Sequence, residues 1–95
     1  MTAFWIAHIT VTDEAGYGEY LKRATLAVQG HGGRFLARGG RHVTKEGHDH
    51  PRNVVVEFPS LEAAVGCYDS PEYQEALTFA RKAAERHLSI VESAT

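Results

Sequence analysis

Residues 52–58, RNVVVEF, are the most strand-like stretch of the chain. Three successive valines and a phenylalanine belong to the residue types that favour β-strands, and the side chains of a strand alternate between its two faces. One face is therefore predicted to lie under helices and the other to face away. The first face carries Val54, Val56 and Phe58, and the second carries Asn53, Val55 and Glu57.

A second clear strand begins the chain and runs from Phe4 to Val11. Its alternation is equally regular, with one purely apolar face that suits the underside of a helical layer. The apolar face carries Trp5, Ala7, Ile9 and Val11, and the opposite face carries Phe4, Ile6, His8 and Thr10. Asp13 follows as the N-cap of a helix, which the glycines at positions 30, 32 and 33 end.

Another strand is predicted to begin at Arg34, inside the stretch GGRFLARGGRH of residues 32–42. Adjacent glycines within a strand commonly mark a β-bulge, so we expect Gly39-Gly40 to bend the strand before it continues through His42–Lys45. A phosphate-binding loop is not expected, because no helix follows these glycines. The residues predicted to share one face of this strand are Arg34, Leu36 and Arg38.

The remaining elements complete a repeated order. Ser60 is predicted to cap a helix that Ser70-Pro71 breaks and restarts, because proline is favoured at the first helical position after a capping serine. The restarted helix buries a stripe of Tyr73, Leu77, Ala80 and Ala84, and a last strand covers Leu88–Glu92. The order β-α-β-β-α-β predicts one α+β domain, residues 1–95, with the ferredoxin-like fold: four antiparallel strands with the helices on one face.

The sheet face away from the helices is predicted to be too apolar for water. It would carry Ile6, Leu36 or Ala37, Val55 and Ile90. Large exposed apolar patches usually mark an interface, so we expect a homodimer that packs sheet on sheet.

Composition excludes several classes of function. The chain has 10 Lys and Arg against 12 Asp and Glu, so no basic excess favours a nucleic-acid partner. No apolar run approaches the roughly 20 residues that span a bilayer, and the N-terminus does not resemble a signal peptide. The single cysteine, Cys67, is expected to be a buried apolar residue, and a cytoplasmic location is expected.

Four segments together resemble a known family: FWIAHITVTD, GGRFLARGGRH, RNVVVEFPSLEAA and YDSPEYQEAL. In order and spacing they are similar to the domain-of-unknown-function 1330 family of small bacterial proteins, over essentially the whole chain. The resemblance implies a ferredoxin-like subunit of the dimeric α/β-barrel superfamily. That superfamily includes cofactor-independent monooxygenases and isomerases, but the family itself has no established activity.

Candidate site residues come mainly from the arginine-rich strand and its predicted neighbours. We expect His8, Arg38 and Glu57 to gather in a cavity lined by the dimer, where Arg38 would clamp an anion and His8 would exchange a proton. Alternatively, Arg38 and Glu57 form a structural salt bridge or a pair at the subunit interface. The residues predicted to contact a ligand are Arg38, Arg41, His42, Asn53 and Tyr20.

Two functions fit these candidates. One is a non-catalytic dimer that binds a small aromatic or carboxylate molecule in a sheet-lined cavity; the other is a cofactor-independent monooxygenase or isomerase that acts on a small aromatic or enolisable acid. No cofactor is expected. His48 and His50 lie in a predicted turn with no further ligand evident, so no metal site is expected either, and His31 and His87 are predicted near the ends of helices.

Overall fold

The computed structural model describes all 95 residues of the chain. The bounds of the elements are β1 Ala3–Val11, α1 Glu14–Gly30, β2 Arg34–Arg38, β3 Arg52–Phe58, α2 Leu61–Asp69, α3 Pro71–Ala83 and β4 Ala84–Glu92. The strands form one antiparallel sheet in the order β2-β3-β1-β4. This is the ferredoxin-like α+β arrangement that the order of elements predicts.

The predicted helix caps are confirmed. Each capping side chain accepts a hydrogen bond from a backbone N–H three residues later: Asp13 from Gly16 at 3.2 Å, Ser60 from Ala63 at 3.0 Å and Ser70 from Tyr73 at 3.2 Å. Because Pro71 follows Ser70 directly, α2 ends and α3 begins at the predicted break. None of the three helices has the length and apolar content that a membrane crossing needs.

Trp5 holds the helices against the sheet. Its ring centroid lies 4.9 Å from that of Tyr73 and 5.0 Å from that of Phe58, and its Nε1 donates to the carbonyl oxygen of Ala64 at 3.0 Å. Tyr73 and Phe58 are fully buried. These contacts fix α2 and α3 over the central strands, as the predicted apolar faces of β1 and β3 require.

The β-bulge lies earlier than predicted. Phe35 pairs with Val56 and Ala37 pairs with Val55, so the extra residue is Leu36 and not the pair Gly39-Gly40. The shift changes the side-chain alternation of β2. Arg34 consequently faces away from the helices and Arg38 faces towards them, which corrects the prediction that both share one face.

Strand β2 is also shorter than predicted. It ends at Arg38, and residues 42–45 are exposed loop rather than strand. Gly39 has a φ of 71°, a conformation that strands do not contain and that glycine tolerates. The chain therefore leaves the sheet at the first of the two glycines.

Strand β4 is longer than predicted, because it begins at Ala84 and not at Leu88. The helix passes directly into the strand, and the backbone N–H groups of Thr12 and Asp13 donate to the carbonyl oxygen of Ala83, at 2.7 and 3.0 Å, which fixes the junction. His87 accordingly lies within a strand and not at a helix end. His31 does lie at the end of α1, as predicted.

The longer β4 also fixes which of its side chains face the helices. Ile90 pairs with Trp5 and Val91 pairs with Phe4, so Val91 and not Ile90 belongs to the open face of the sheet. That face is divided along the strands. Its apolar half carries Phe4, Ile6, Ala37, Val55 and Val91, with Ser89 and the ion pair of Arg34 and Glu57 beside them, and its histidine half carries His8, Thr10, Asn53, Glu85 and His87.

Candidate functional site

A cavity of about 30 Å³ lies between the sheet and α1. The small side chains of Ala7 on β1 and Ala24 on α1 are among the residues that line it. Twelve of its fifteen lining residues are apolar or aromatic, and the other three are Arg38, Arg52 and Arg86. An apolar chamber whose charged groups are all cationic is suited to a small anion with an apolar body.

Strand alternation places two of these arginines in one row. Ile9 pairs with Arg52 on one neighbouring strand and with Arg86 on the other. Because Ile9 faces the helices, both guanidinium groups are directed to the same layer. Arg38 joins them from β2, where it pairs with Val54 one row further along.

Arg86 is held by two tyrosines. Its Nη2 donates to the hydroxyl oxygen of Tyr20 at 2.9 Å and to that of Tyr73 at 3.2 Å, and its guanidinium carbon lies 4.8 Å from the centre of the Tyr20 ring. The two hydroxyl oxygens are 2.7 Å apart. Burial raises the pKa of both tyrosines, so the hydroxyls stay neutral at physiological pH.

The other two arginines are placed at the margin of the cavity. Arg38 lies over the ring of Phe35, with 4.0 Å between its guanidinium carbon and the ring centre, and donates to the Thr25 hydroxyl. Arg52 packs so closely on Gly39 that a Cβ there would lie 2.7 Å from its Nη1. Arg52 also lines an adjoining surface cleft of about 250 Å³, which shares Ile9 and Tyr17 with the wall of the cavity.

The positive charge of the cavity is not neutralised by the protein. None of the three arginines forms an ion pair with a carboxylate. The Nε atoms of Arg52 and Arg86 are buried without a hydrogen-bond partner. Buried polar groups are normally paired, so two unpaired donors beside one cavity are an arrangement that an anion would complete.

Two of the predicted ligand-binding residues, Arg38 and Tyr20, lie together in the wall of this cavity. Arg52 and Arg86 were missed. The signal for them is present in the sequence: Arg52 has the same strand parity as Val54, and Arg86 has the same parity as Leu88. Arg52 was missed because only the apolar residues of β3 were predicted to face the helices, and Arg86 was missed because the last strand was predicted to begin at Leu88.

The predicted cluster of His8, Arg38 and Glu57 does not form within the chain. Arg38 faces the helices, whereas His8 and Glu57 face away from them. Glu57 pairs with Phe4, four residues from His8 along β1, which is roughly 13 Å at about 3.3 Å per residue. The Glu57 carboxylate is bound instead by Arg34, at 2.8 Å, so Arg38 and Glu57 form no salt bridge within the chain.

The remaining predicted residues lie on the other side of the sheet. His8, His42 and Asn53 line one surface pocket over the histidine half, and His8 Nδ1 lies 2.6 Å from Asn53 Oδ1. Arg41 is exposed in the loop after β2 and borders a separate shallow groove. The five predicted ligand-binding residues therefore belong to separate sites on the two faces of the sheet.

Solved structures of similar shape come from several bacteria. A protein of unknown function from Rhodopseudomonas palustris superposes with a TM-score of 0.81 at 16% identity, over 99% of this chain and 83% of the other. SnoaB, a cofactor-independent oxygenase from Streptomyces nogalater, gives 0.67 at 12% identity, over 99% and 94%. A dimeric protein of unknown function with a ferredoxin-like fold from Bacteroides fragilis gives 0.64 at 12% identity, over 97% and 96%.

At these identities the structural likenesses show the fold alone. No curated protein matches the sequence. The family model described as "Domain of unknown function (DUF1330)" matches residues 2–94, which confirms the resemblance that the sequence segments carry. The chain therefore belongs to the DUF1330 family.

Proposed function

We propose that the protein binds a small organic anion, with a flat apolar or aromatic body, in the cavity between the sheet and α1. The observation that carries the proposal is the set of three arginines without carboxylate partners, Arg38, Arg52 and Arg86, in an otherwise apolar chamber. A guanidinium group binds a carboxylate through two parallel hydrogen bonds, so it supplies both charge and orientation.

The cavity is too small for an aromatic acid in its present form, so a ligand of this class would have to open it on binding. A volume of about 30 Å³ has room for one or two water molecules. The Arg38 side chain is the part of the wall that is free to move, because Arg38 is exposed and is followed by Gly39, which has a positive φ. Movement of the Arg38 side chain away from Phe35 and Thr25 would join the cavity to the cleft that Arg52 lines.

The chemistry of the walls favours an aromatic carboxylate over a phosphate or a polar metabolite. The rings of Trp5, Tyr17 and Phe35 line the chamber and can pack against a planar ligand. A carboxylate reaching the row of Arg52 and Arg86 would receive the unpaired Nε–H groups.

A cofactor-independent oxygenase or isomerase is the second candidate, because SnoaB shares the fold. Such a reaction starts with removal of a proton from the substrate. The cavity lining contains no carboxylate, histidine or thiol, and burial raises the pKa of Tyr20 and Tyr73, which makes the two hydroxyls weak acids that rarely ionise. His8 would lie on the opposite face of the sheet. Binding is therefore the function that the geometry favours.

We propose further that the protein acts as a homodimer. The apolar half of the open sheet face, centred on Ile6 and Val55, offers a surface that water does not stabilise. A second copy of the chain would cover it sheet on sheet, and the Bacteroides fragilis relative of similar fold is described as dimeric. The arginine cavity lies on the other side of the sheet, so each subunit would hold its own ligand.

The single tryptophan gives a direct test. Trp5 lines the cavity, so its fluorescence and isothermal titration calorimetry should both report a ligand there. We expect benzoate or a hydroxybenzoate to bind at least about 10-fold more tightly than benzamide, since a hydrogen bond to a charged group contributes about 1.5–3 kcal/mol. Oxygen uptake measured with the same hydroxybenzoates tests the second candidate.

Arginine variants locate the site. Arg38→Met and Arg86→Met should weaken benzoate binding at least about 10-fold. The matched control is Arg23→Met, because Arg23 lies on the surface of α1 beside Glu19 and Phe79 and away from the cavity. Equal affinity for benzoate and benzamide, or equal benzoate affinity in all three variants, would contradict the proposal.

A further inference from the structure

Five of the six histidines of the chain lie together on the side of the sheet opposite the arginine cavity. Residues of the loop 39–51 and of the histidine half of the sheet together line a surface pocket of about 510 Å³. His42, His48 and His50 come from this loop, and His8 and His87 come from β1 and β4. The proposed anion site uses none of them, so this cluster calls for a separate explanation.

Three potential metal ligands of this cluster are close together. The side-chain ligand atoms of His48, His50 and Glu85 all lie within 4.8 Å of one another. In a tetrahedral zinc site with bonds of about 2.0–2.1 Å, neighbouring ligand atoms are roughly 3.4 Å apart. His48 and Glu85 are exposed, so their side chains can rotate through the remaining distance.

His50 is prepared for this role by its neighbours. It is buried, with 7% of its surface exposed, and its Nδ1 lies 2.9 Å from the hydroxyl oxygen of Thr10. When Nδ1–H donates to that hydroxyl, Nε2 carries the free lone pair. A metal-binding histidine almost always has such a partner on its other nitrogen, which fixes the ring and its tautomer.

Two further residues support this group of ligands, Asp49 in the loop and His87 on β4. Asp49 stabilises the loop between the two histidines, because its Oδ1 accepts from the Thr44 hydroxyl at 2.6 Å and lies 3.2 Å from His42 Nε2. On β4, His87 Nε2 lies 3.7 Å from Glu85 Oε2, and the rings of His50 and His87 are 5.1 Å apart. His87 can therefore supply a fourth ligand.

The kinds of ligand select the ion. Calcium and magnesium prefer shells made of oxygen atoms, whereas imidazole nitrogen with one carboxylate suits zinc and its neighbours in the first transition series. We propose that His48, His50 and Glu85, with His87 as the fourth ligand, bind one zinc-type divalent transition metal ion per chain. The expectation that this turn lacks a further ligand overlooked Glu85, which the sequence places 35 residues after His50 and the sheet brings next to it.

Zinc titration of the untagged, EDTA-treated and dialysed protein tests the proposal. We expect isothermal titration calorimetry to show one Zn²⁺ per chain with a micromolar or lower dissociation constant, and Zn²⁺ to raise the melting temperature because it binds the folded state. Co²⁺ should give the visible absorption of a tetrahedral complex. Glu85→Gln and His48→Ala, both at exposed positions, should each weaken Zn²⁺ binding at least about 10-fold.

His31→Ala is the matched control, because His31 is the one histidine outside the cluster and lies at the end of α1. It should bind Zn²⁺ like the wild type. Circular dichroism without metal should show that every variant is folded. The proposal is overturned if the wild type binds no Zn²⁺ when the Zn²⁺ concentration is on the order of 100 micromolar. It is also overturned if Glu85→Gln and His48→Ala bind Zn²⁺ as tightly as His31→Ala does. Because benzoate binding involves the opposite face, its failure would leave this result unaffected.

Discussion

Nη2 of Arg86 lies 2.9 Å from the hydroxyl oxygen of Tyr20, and that hydroxyl in turn lies 2.7 Å from the hydroxyl of Tyr73. One arginine of β4 is thus connected to a tyrosine of α1 and a tyrosine of α3. The connection places a cation at the wall of an apolar cavity and leaves the Arg86 Nε buried without a partner. An arrangement of this kind suits ligand binding better than it suits stability.

Replacement of Arg86 by an apolar residue should therefore leave the protein at least as stable. Exchange of a buried charged group for an apolar one of similar volume is often neutral or stabilising, and an unpaired buried N–H costs about 1–3 kcal/mol. Tyr20 and Tyr73 keep their mutual hydrogen bond in Arg86→Met. Urea denaturation should give a free energy of unfolding within about 1 kcal/mol of the wild-type value, or above it.

Arg81→Met is the control for this experiment, because Arg81 is exposed in the last turn of α3. It should change stability by less than about 0.5 kcal/mol. A loss of more than about 2 kcal/mol in Arg86→Met alone would mean that the hydrogen bonds of Arg86 outweigh the burial of its charge.

The paired tyrosines should make stability fall at alkaline pH. Burial, and then the neighbouring Tyr73 hydroxyl, raise the pKa of Tyr20 well above 10, and burial raises that of Tyr73. A raised folded-state pKa means that the folded state holds the proton more tightly than the unfolded state does. The stabilisation is thus complete below pH 10 and is lost as the pH rises from there through the folded-state pKa values.

Urea denaturation at pH 8, 9, 10 and 11 measures this effect. The wild-type free energy of unfolding should fall above about pH 10, and the double variant Tyr20→Phe/Tyr73→Phe should show a shallower fall. Tyr68→Phe is the matched control, because the Tyr68 hydroxyl lies outside the hydrogen-bonded pair, and it should follow the wild type. Parallel curves for the wild type and the double variant would contradict this account.

Local rules predicted most of the architecture. Strand alternation identified which faces of β1 and β3 lie under helices, and the capping residues Asp13, Ser60 and Ser70 located the starts of all three helices. Strand alternation and helix caps depend on residues that are close together in the sequence, so they can be predicted without knowledge of the fold. The family resemblance could be seen in the sequence for the same reason, since the segments that carry it, such as RNVVVEFPSLEAA and YDSPEYQEAL, contain these strands and caps.

The site was harder to predict because it depends on parity and on distant pairing. One extra residue at Leu36 moves Arg38 to the helix face, and a strand that begins at Ala84 brings Arg86 into the core. Neither change has a strong local signal: the glycines that suggest a bulge lie three residues later, and alanine is compatible with both helix and strand. The approach of Glu85 to His50 arises from the pairing of β4 with β1, which local sequence does not determine.

The apolar half of the open sheet face supplies the last prediction, which concerns assembly. Val91 is 46% exposed on β4 beside Phe4, within this surface. A glutamate there would carry its charge into the proposed sheet-on-sheet interface, where both symmetry-related copies would be desolvated without a partner. We expect wild-type protein to have twice the 10.5 kDa mass of one chain by light scattering at micromolar concentration, and Val91→Glu to have the mass of a single chain.

Leu26→Glu distinguishes an interface effect from a general effect of added charge. Leu26 is a large apolar residue that is 72% exposed, but it lies on α1, on the other side of the molecule from the open sheet face. The variant should remain dimeric, because the proposed contact does not include the helices. A monomeric wild type would contradict the proposed dimer and show that water solvates the apolar half of the sheet face. A Val91→Glu variant that stays dimeric while Leu26→Glu dissociates would place the interface on the helical side of the molecule instead.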